Sequence, residues 1–203
     1  MKKQALALFL VLALALSLAA CGGKPKSPYA GAEMGDTLQL GEIDWYVIRV
    51  EEDRALLLAA QIVEKRPFHH ERADLTWEIC DLRQYLNGEF YEDTFTDEEK
   101  QWIAETQVSN ETPADFKTDC GNDTLDKVFL LNTREAEDYF ADNAARKGID
   151  PETGQGISWW LRDPGKLSSS AASYVMSYGA PSNGGLSVTS KDLGVRPAMW
   201  VIL

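Results

Sequence analysis

Residues 158–165 (SWWLRDPG) and 194–200 (GVRPAMW) decide the fold of this chain. Aromatic and β-branched runs bounded by glycine and proline predict strands. The first run is expected to form a short aromatic strand that ends in a turn, and the second to form a closing strand. Because a buried guanidinium needs a partner, Arg162 and Arg196, together with Trp160, are expected to be structural clamps. Anion binding is the alternative role for the two arginines.

The order of the remaining segments predicts an α+β fold. Residues 43–50 and 54–60 are rich in aromatic, β-branched and leucine side chains, which predicts an antiparallel pair of strands. Thr96 followed by Glu99 is a capping box that starts a helix. We expect antiparallel sheets, two or three helices in the N-terminal half and a β-rich C-terminal half. Because the first and last strands are both apolar, we expect them to pair.

The N-terminus has the pattern of a secretory signal. Two lysines precede an apolar run at residues 5–18, and small residues lead to Cys21. This pattern resembles the lipobox of bacterial lipoproteins, which implies that Cys21 carries acyl chains such as palmitate and anchors an extracytoplasmic protein to the membrane. A plain signal peptide or an uncleaved anchor is the alternative. We predict a signal at 1–20, a flexible tether at 21–35 and one globular domain at 36–203.

The acidic charge and the remaining cysteines limit the partners, disulfides and metal ions that the sequence can be expected to have. A formal charge of −12 repels phosphate backbones, which argues against a nucleic-acid partner. Cys80 and Cys120 form an even pair, so a disulfide or two separate thiols are both open. Asp119, Asp123 and Asp126 are a candidate calcium site, because their loop is rich in hard oxygen ligands. The loop lacks EF-hand spacing, and a solvated acidic loop is the alternative.

The two histidines are expected to lie in an ordinary polar loop. His69, His70 and Glu71 offer metal ligands, and the chain has no third histidine. Adjacent side chains of an extended segment point to opposite faces, so the pair is not expected to share one ion. The sequence therefore predicts no metal site here.

A ligand-binding surface is predicted in the loops 166–171 and 178–185. Their serine, glycine, asparagine and tyrosine content is that of a binding surface built from adaptable polar side chains and aromatic anchors. One of the two adjacent tryptophans is expected to be core, and the other can face a groove and stack on a sugar ring. The candidate contact residues are Trp159, Lys166, Ser168, Ser169, Tyr178, Ser182 and Asn183.

A set of motifs across residues 36–203 resembles a domain-of-unknown-function family of bacterial surface proteins and lipoproteins. The motifs are Gly41-x3-Trp45-x-Val47, Ala55-Leu56-Leu57-Leu58, Trp77-x4-Leu82-Arg83-x2-Leu86-Asn87-x2-Phe90, Phe95-Thr96-x2-Glu99, Asp126-Lys127-Val128-Phe129-Leu130-Leu131, Trp160-Leu161-Arg162 and Gly194-Val195-Arg196-Pro197-Ala198. The combination carries the resemblance, since each piece alone is short.

The closing pair of motifs is similar to the end of C-type lectin-like folds, including relatives of the formylglycine-generating enzyme. The resemblance implies a non-catalytic domain that binds a glycan, a peptide or a protein surface. An oxidative enzyme of the formylglycine-generating class and a structural accessory module of the envelope are the alternatives. The chain departs from the enzymes, which carry catalytic cysteines in their C-terminal half, because it has no cysteine after Cys120.

Overall fold

The structure, a computed structural model, describes residues 26–203. It combines short helices with mainly antiparallel sheets and is mostly β. The predicted signal at 1–20 and the predicted lipidation at Cys21 lie outside the described residues.

The strands run along the whole described chain. They are β1 (Thr37–Leu40), β2 (Ile43–Val50), β3 (Arg54–Ala59), β4 (Glu64–Lys65), β5 (Ile103–Ala104), β6 (Thr106–Val108), β7 (Thr124–Asp126), β8 (Gly148–Ile149), β9 (Gly156–Ile157), β10 (Trp159–Gly165), β11 (Ser168–Val175), β12 (Pro181–Ser187), β13 (Gly194–Val195) and β14 (Ala198–Ile202).

The helices are short and lie between strands. They are a 3-10 turn (Trp77–Ile79), α1 (Asp81–Tyr85), a π-helical turn (Leu86–Phe90), α2 (Tyr91–Thr94), α3 (Asp97–Lys100), α4 (Thr133–Asp138) and α5 (Asn143–Arg146). The capping box predicted at Thr96 and Glu99 is confirmed at the start of α3. A second capping box, of Asn132 and Glu135, starts α4.

Two five-stranded sheets form the body of the domain. The first has the order β1-β2-β3-β14-β5, and the second has the order β12-β11-β10-β13-β4. The last strand, β14, lies between β3 and β5, so the C-terminus is held inside the sheet that the N-terminal strands build. The first strand, β1, pairs with β2 instead.

The chain crosses from one sheet to the other at Arg196 and Pro197. β13 ends at Val195 in the second sheet, and β14 begins at Ala198 in the first. The predicted proximity of the two motifs is confirmed, because β13 runs parallel to β10 with Gly194 opposite Trp159. Proline suits this position because it donates no backbone hydrogen bond to either sheet.

Arg196 is buried at the crossing and donates hydrogen bonds to carbonyls of two other segments. Its side chain is 1% exposed, and burial lowers its pKa to about 10. Its guanidinium donates to the backbone oxygens of Ala59 (2.8 Å), Arg146 (3.2 Å), Lys147 (3.3 Å) and Ala60 (3.4 Å). The end of β3 and the end of α5 are thereby tied to the crossing.

Arg162 is the second buried guanidinium, and it uses all five donors. Nη1 and Nη2 form a fork on the carboxylate of Glu135, and Nε donates to the Asn110 side chain at 3.2 Å. The other two donors reach the carbonyls of Leu130 (2.9 Å) and Ser109 (2.8 Å). Burial opposes the charge, but Glu135 outweighs it and raises the pKa of Arg162. This one side chain therefore connects β10, α4 and the segment after β6.

The described end of the predicted tether packs against the domain. Ser27 is buried, and its hydroxyl donates to the carbonyl of Ile202 at 2.6 Å. Tyr29 and Ala32 are half-buried against the core. The segment from residue 27 onward is thus part of the folded domain and not a free linker.

We expect Arg162→Ala to lower the free energy of unfolding by about 3–5 kcal/mol, because it leaves the Glu135 carboxylate and two carbonyls without their donor. Urea denaturation followed by circular dichroism measures the change. Arg134→Ala is the matched control: its side chain is 83% exposed and lies 3.7 Å from Asp138, so the loss should be about 0.5 kcal/mol or less. Equal losses in the two variants would contradict the clamp.

Candidate functional site

A groove of about 740 Å³ opens beside β2 and is the candidate site. This volume lies in the range of small-molecule and saccharide pockets. It is lined by Thr37, Glu42, Ile43, Asp44, Tyr46, Ala60, Gln61, Ile62, Val63, Glu64, Tyr85, Phe90, Thr94 and Pro151.

One wall of the groove is the outer face of β2. Successive side chains of a strand alternate between its faces, so Trp45 and Val47 are buried in the core while Asp44 and Tyr46 face outward. Tyr46 keeps 43% of its side chain exposed. A carboxylate and an aromatic ring therefore stand side by side on a rigid strand.

The hairpin between β1 and β2 places Glu42 at the rim of the groove. Leu40 pairs with Ile43, which leaves the two-residue turn Gly41-Glu42. Both turn residues have positive φ, at 58° and 59°, as a type I′ turn requires. A Cβ on Gly41 would lie 2.5 Å from the Thr94 methyl group and 2.6 Å from its carbonyl oxygen, so only glycine allows the turn to pack against the end of α2.

The floor of the groove is held by the two motifs that decide the fold. Glu64 and Lys65 of β4 pair with Val195 and Gly194 of β13. The indole of Trp160 donates to the carbonyl of Arg66 at 2.9 Å. The closing strand and the tryptophan of β10 thereby fix the segment that carries the Glu64 carboxylate into the groove.

The opposite wall is aromatic. Tyr85 ends α1, and the Phe90 ring lies 6.0 Å from the Tyr85 ring. The Arg66 guanidinium carbon lies 3.4 Å from the centroid of the Tyr85 ring, and its Nε contacts Glu64 at 3.2 Å. Burial, followed by a hydrogen bond with Glu64, raises the pKa of Tyr85 to about 12. Tyr85 is therefore a neutral phenol held in a fixed orientation.

The groove is acidic. Glu42, Asp44 and Glu64 supply carboxylates, and the lining residues within the described chain include no lysine or arginine. Carboxylates accept hydrogen bonds, and aromatic rings offer flat apolar faces. The arrangement can hold a ligand that has hydroxyl or amino donors together with an apolar face. It disfavours an anionic ligand.

Sequence reasoning did not predict this groove. Its residues come from the β1–β2 hairpin, residues 60–64, the helical residues Tyr85, Phe90 and Thr94, and Pro151 after β8. No two of these segments form a recognisable motif. The one local signal is the pairing of outward-facing Asp44 and Tyr46 in an otherwise apolar strand. A strand face with an acid and an aromatic ring is also common on a solvated sheet, so the pattern alone did not identify a site.

The segments 166–171 and 178–185 are mostly strand, so the prediction that they are loops is wrong, whereas their role in ligand binding stays a prediction. Ser168 to Val175 form β11, and Pro181 to Ser187 form β12, the edge of the second sheet. Small residues let these strands approach closely: a Cβ on Gly185 would lie 2.9 Å from the Cα of Gly165. Serine, glycine and asparagine are typical of turns, so the sequence pattern predicted loops here. In the structure the same small residues allow two strands to pack closely.

The individual contact candidates occupy different environments. Lys166 makes an ion pair with Asp115 at 2.6 Å, and the Ser169 hydroxyl donates to Asp74 at 2.7 Å. Ser168 is exposed and Ser182 is half-exposed on β12, where the Asn183 carbonyl accepts from the Lys166 backbone at 2.7 Å. Tyr178 is 55% exposed and stands after β11. None of these residues lines the groove.

Trp159 does not face a groove, contrary to its candidate role in ligand binding. Both Trp159 and Trp160 are fully buried. The Trp159 indole donates to the carbonyl of Arg146 at 3.3 Å, and its ring lies 5.3 Å from the guanidinium carbon of Arg196. The second sheet is covered on both faces, so side chains that point in opposite directions from β10 are both core.

The aspartates weighed for calcium are used elsewhere. The buried carboxylate of Asp126 accepts from Trp77, Arg83 and Thr124 at 2.7–2.8 Å. Asp123 accepts from the Asn110 backbone and the Gln107 side chain, and Asp119 accepts from the Gly121 backbone. Among the described residues, the carboxylates of these three aspartates do not converge into one cluster of ligand atoms.

Cys80 and Cys120 are separate buried thiols, so the disulfide is not formed. Cys80 accepts a hydrogen bond from the Arg83 backbone and caps α1. Burial raises the pKa of Cys80 to about 12 and that of Cys120 to about 11. Both are therefore protonated at neutral pH and have the inert character of core cysteines.

We expect neither Cys80 nor Cys120 to react with iodoacetamide at neutral pH in the native protein, because the thiolate is the nucleophile and both thiols are buried. Both should react fully in denaturant without reductant. Mass spectrometry of the peptides that contain each cysteine measures this. Protection of both in denaturant would instead indicate a disulfide, and native labelling would contradict the burial.

The histidine pair does not point to opposite faces, which corrects the sequence prediction. The backbone bends at residues 69–71, so the alternation of an extended strand does not apply. The Nδ1 atoms of His69 and His70 lie 3.1 and 2.6 Å from the two carboxylate oxygens of Asp81. Among the residues that the structure describes, this is the one group of three histidine, cysteine, aspartate or glutamate side chains whose possible metal-ligand atoms lie within 4.8 Å of one another.

Comparison with known proteins gives one match. Residues 52–203 match a family described as "Domain of unknown function (DUF6273)". The match begins after β2, so the Asp44 and Tyr46 wall of the groove precedes it, whereas the Glu64 and Tyr85 side lies within it. No curated protein and no solved structure matches the chain. The helices within residues 26–203 are too short or too polar to cross a membrane.

Proposed function

The chain belongs to the DUF6273 family, and we propose that it is a membrane-tethered extracytoplasmic lipoprotein whose domain binds a ligand without catalysis. The single observation that carries the proposal is the groove, where the exposed Tyr46 ring stands among the carboxylates of Glu42, Asp44 and Glu64. A rigid site with aromatic faces and a few convergent polar groups is the usual form of a small-molecule or saccharide site.

The proposed ligand is a glycan that is neutral or carries amino groups. A sugar ring has an apolar face that stacks on tyrosine and hydroxyl groups that donate to carboxylates. Tyr85 is held by Arg66 and Glu64, and Tyr46 projects from a paired strand, so neither ring loses much freedom on binding. The negative charge of the groove favours amino sugars over acidic ones.

The cysteines support a binding role over the alternative of formylglycine-generating chemistry. Oxidative chemistry at cysteine needs an accessible thiolate. Cys80 and Cys120 are buried thiols with raised pKa values, and neither lines the groove.

The C-type lectin-like assignment is part of the same proposal. It is supported by the C-terminal strand β14, which returns between β3 and β5 and closes the domain on its N-terminal sheet. The crossing between the two sheets at Arg196 and Pro197 also supports the assignment, because it lies in the closing motif that resembles the end of C-type lectin-like folds.

We expect Tyr46→Ala to weaken glycan binding about 10-fold, because it removes an exposed stacking face that contributes about 1–1.5 kcal/mol. A glycan array with the detergent-solubilised chain identifies the ligand, and isothermal titration calorimetry measures the affinity. Tyr178→Ala is the matched control. It removes another exposed tyrosine, 55% exposed, that does not line the groove.

Three outcomes separate the hypotheses for the groove. Loss of binding in Tyr46→Ala with retention in Tyr178→Ala supports the groove. Loss in Tyr178→Ala alone would place the ligand on the originally predicted surface and refute the groove. Binding of basic peptides in place of glycans would keep the groove and overturn the ligand class.

The proposed anchor places the domain close to the membrane. Ser27 is fixed to the domain through Ile202, so only residues 22–26 separate a lipidated Cys21 from the folded part, a reach of at most about 18 Å. Acyl chains on Cys21 would then hold the first sheet near the lipid surface.

We expect Cys21→Ala to release the protein from the membrane fraction, because the acyl chains are the anchor in this proposal. Fractionation of cells followed by immunoblotting measures the distribution. A variant with Cys80→Ala is the control, since that thiol is buried in the fold. Full membrane retention of Cys21→Ala would contradict the lipoprotein assignment.

A further inference from the structure

We propose that His69, His70 and Asp81 form a binding site for one divalent transition-metal ion, such as Zn²⁺. The site is independent of the groove, because none of the three residues lines it. The chain contains only these two histidines, and both direct Nδ1 to the carboxylate of the same aspartate.

The spacing of the ligand atoms suits one ion. One ligand atom from each of the three residues lies within 4.8 Å of the others, and the two imidazole rings lie 4.5 Å apart at an angle of 44°. Ligand atoms of a tetrahedral zinc site lie about 3.3 Å apart, as follows from bonds of about 2.0–2.1 Å. His70 Nδ1 lies 2.6 Å from Asp81 Oδ2, which is closer than this, so the exposed His70 ring would rotate outward to admit the ion.

The backbone under the cluster is fixed before any ion arrives. The His69 backbone donates to Val188 at 3.0 Å, and the Leu82 backbone donates to Phe68 at 3.1 Å. The His70 backbone donates to the Asp81 carboxylate at 2.9 Å. The turn that carries both histidines is therefore locked to the start of α1, which reduces the entropy lost on binding.

The contacts of His69 place its Nδ1 beside the carboxylate of Asp81. The Asp81 backbone N–H donates to His69 Nδ1 at 3.3 Å. The same nitrogen lies 3.1 Å from Asp81 Oδ1, which is also an acceptor. The 3.3 Å N–H contact is long for a hydrogen bond, so in the proposed site the ion displaces it and is bound by Nδ1 and Oδ1 together.

The donor set selects the class of metal. Two imidazole nitrogens and one carboxylate oxygen suit Zn²⁺, Co²⁺, Ni²⁺ or Cu²⁺, whereas Ca²⁺ and Mg²⁺ need mostly oxygen ligands. His69 is 8% exposed and forms the buried side of the cluster, while the His70 side chain is 69% exposed. The outer side therefore stays accessible to water or another ligand as a fourth partner.

The test is isothermal titration calorimetry of ZnCl₂ into the untagged, detergent-solubilised chain. We expect one saturable site per chain. His70→Gln and Asp81→Asn should each weaken it about 10-fold or more, since even outer partners of a metal ligand matter by about that factor. Asp138→Asn is the matched control, because its exposed carboxylate lies outside the cluster, and binding should not change. Circular dichroism confirms that each variant is folded.

A second readout reports the ligands directly. Co²⁺ bound through the two imidazoles should give visible ligand-field absorption that disappears in His70→Gln, and a 1:1 ratio of Zn²⁺ should raise the Tm of the parent chain but not of that variant. The absence of saturable binding at millimolar Zn²⁺ would overturn the proposal. Binding that persists in both His70→Gln and Asp81→Asn would do the same.

Discussion

The crossing of the chain from the second sheet to the first at Arg196 and Pro197 is the constraint on which the rest of the domain depends. Arg196 is buried, and within the described chain no carboxylate lies within ion-pair distance of it. Hydrogen bonds to backbone carbonyls therefore offset the free-energy cost of removing its charge from water. A cation placed this way is stable only if β3, α5 and the crossing all keep their positions. Trp159 and the ring of Phe140 fill the space around the guanidinium. Arg162, in the middle of β10, makes an ion pair with Glu135, while Arg196 lies against Trp159 at the start of the same strand.

The same buried contacts also position the residues of the groove. β13, which leads into the crossing, pairs with β4 and carries Glu64 into the floor of the groove. Trp160 fixes the next segment through the Arg66 carbonyl, and Arg66 in turn covers Tyr85. The polar groups of the groove are therefore oriented by buried contacts and not by loop flexibility. Such a site is pre-organised for a small ligand.

The histidine cluster follows the same logic on a different part of the surface. Phe68, which packs against Trp77 and Trp160, anchors the turn that presents His69 and His70 to Asp81. The sequence rule of alternating faces fails here because the backbone bends after Phe68. The aspartates weighed for calcium do not converge, for a related reason: Asp126 accepts hydrogen bonds from Trp77 and Arg83 in the core, which composition cannot reveal.

The sequence by itself determined the elements that depend on local chemistry. These are the β2–β3 pair, the capping box at Thr96, the strand at Trp160 and its closing partner at Gly194, because propensity, periodicity and caps are properties of neighbouring residues. Only the tertiary structure decided which side chains meet. It converted the serine-rich segments into a strand pair, buried Trp159, left both cysteines free and assembled the groove from four separate segments of the chain. These outcomes depend on contacts between residues far apart in the chain, and no local pattern encodes such contacts.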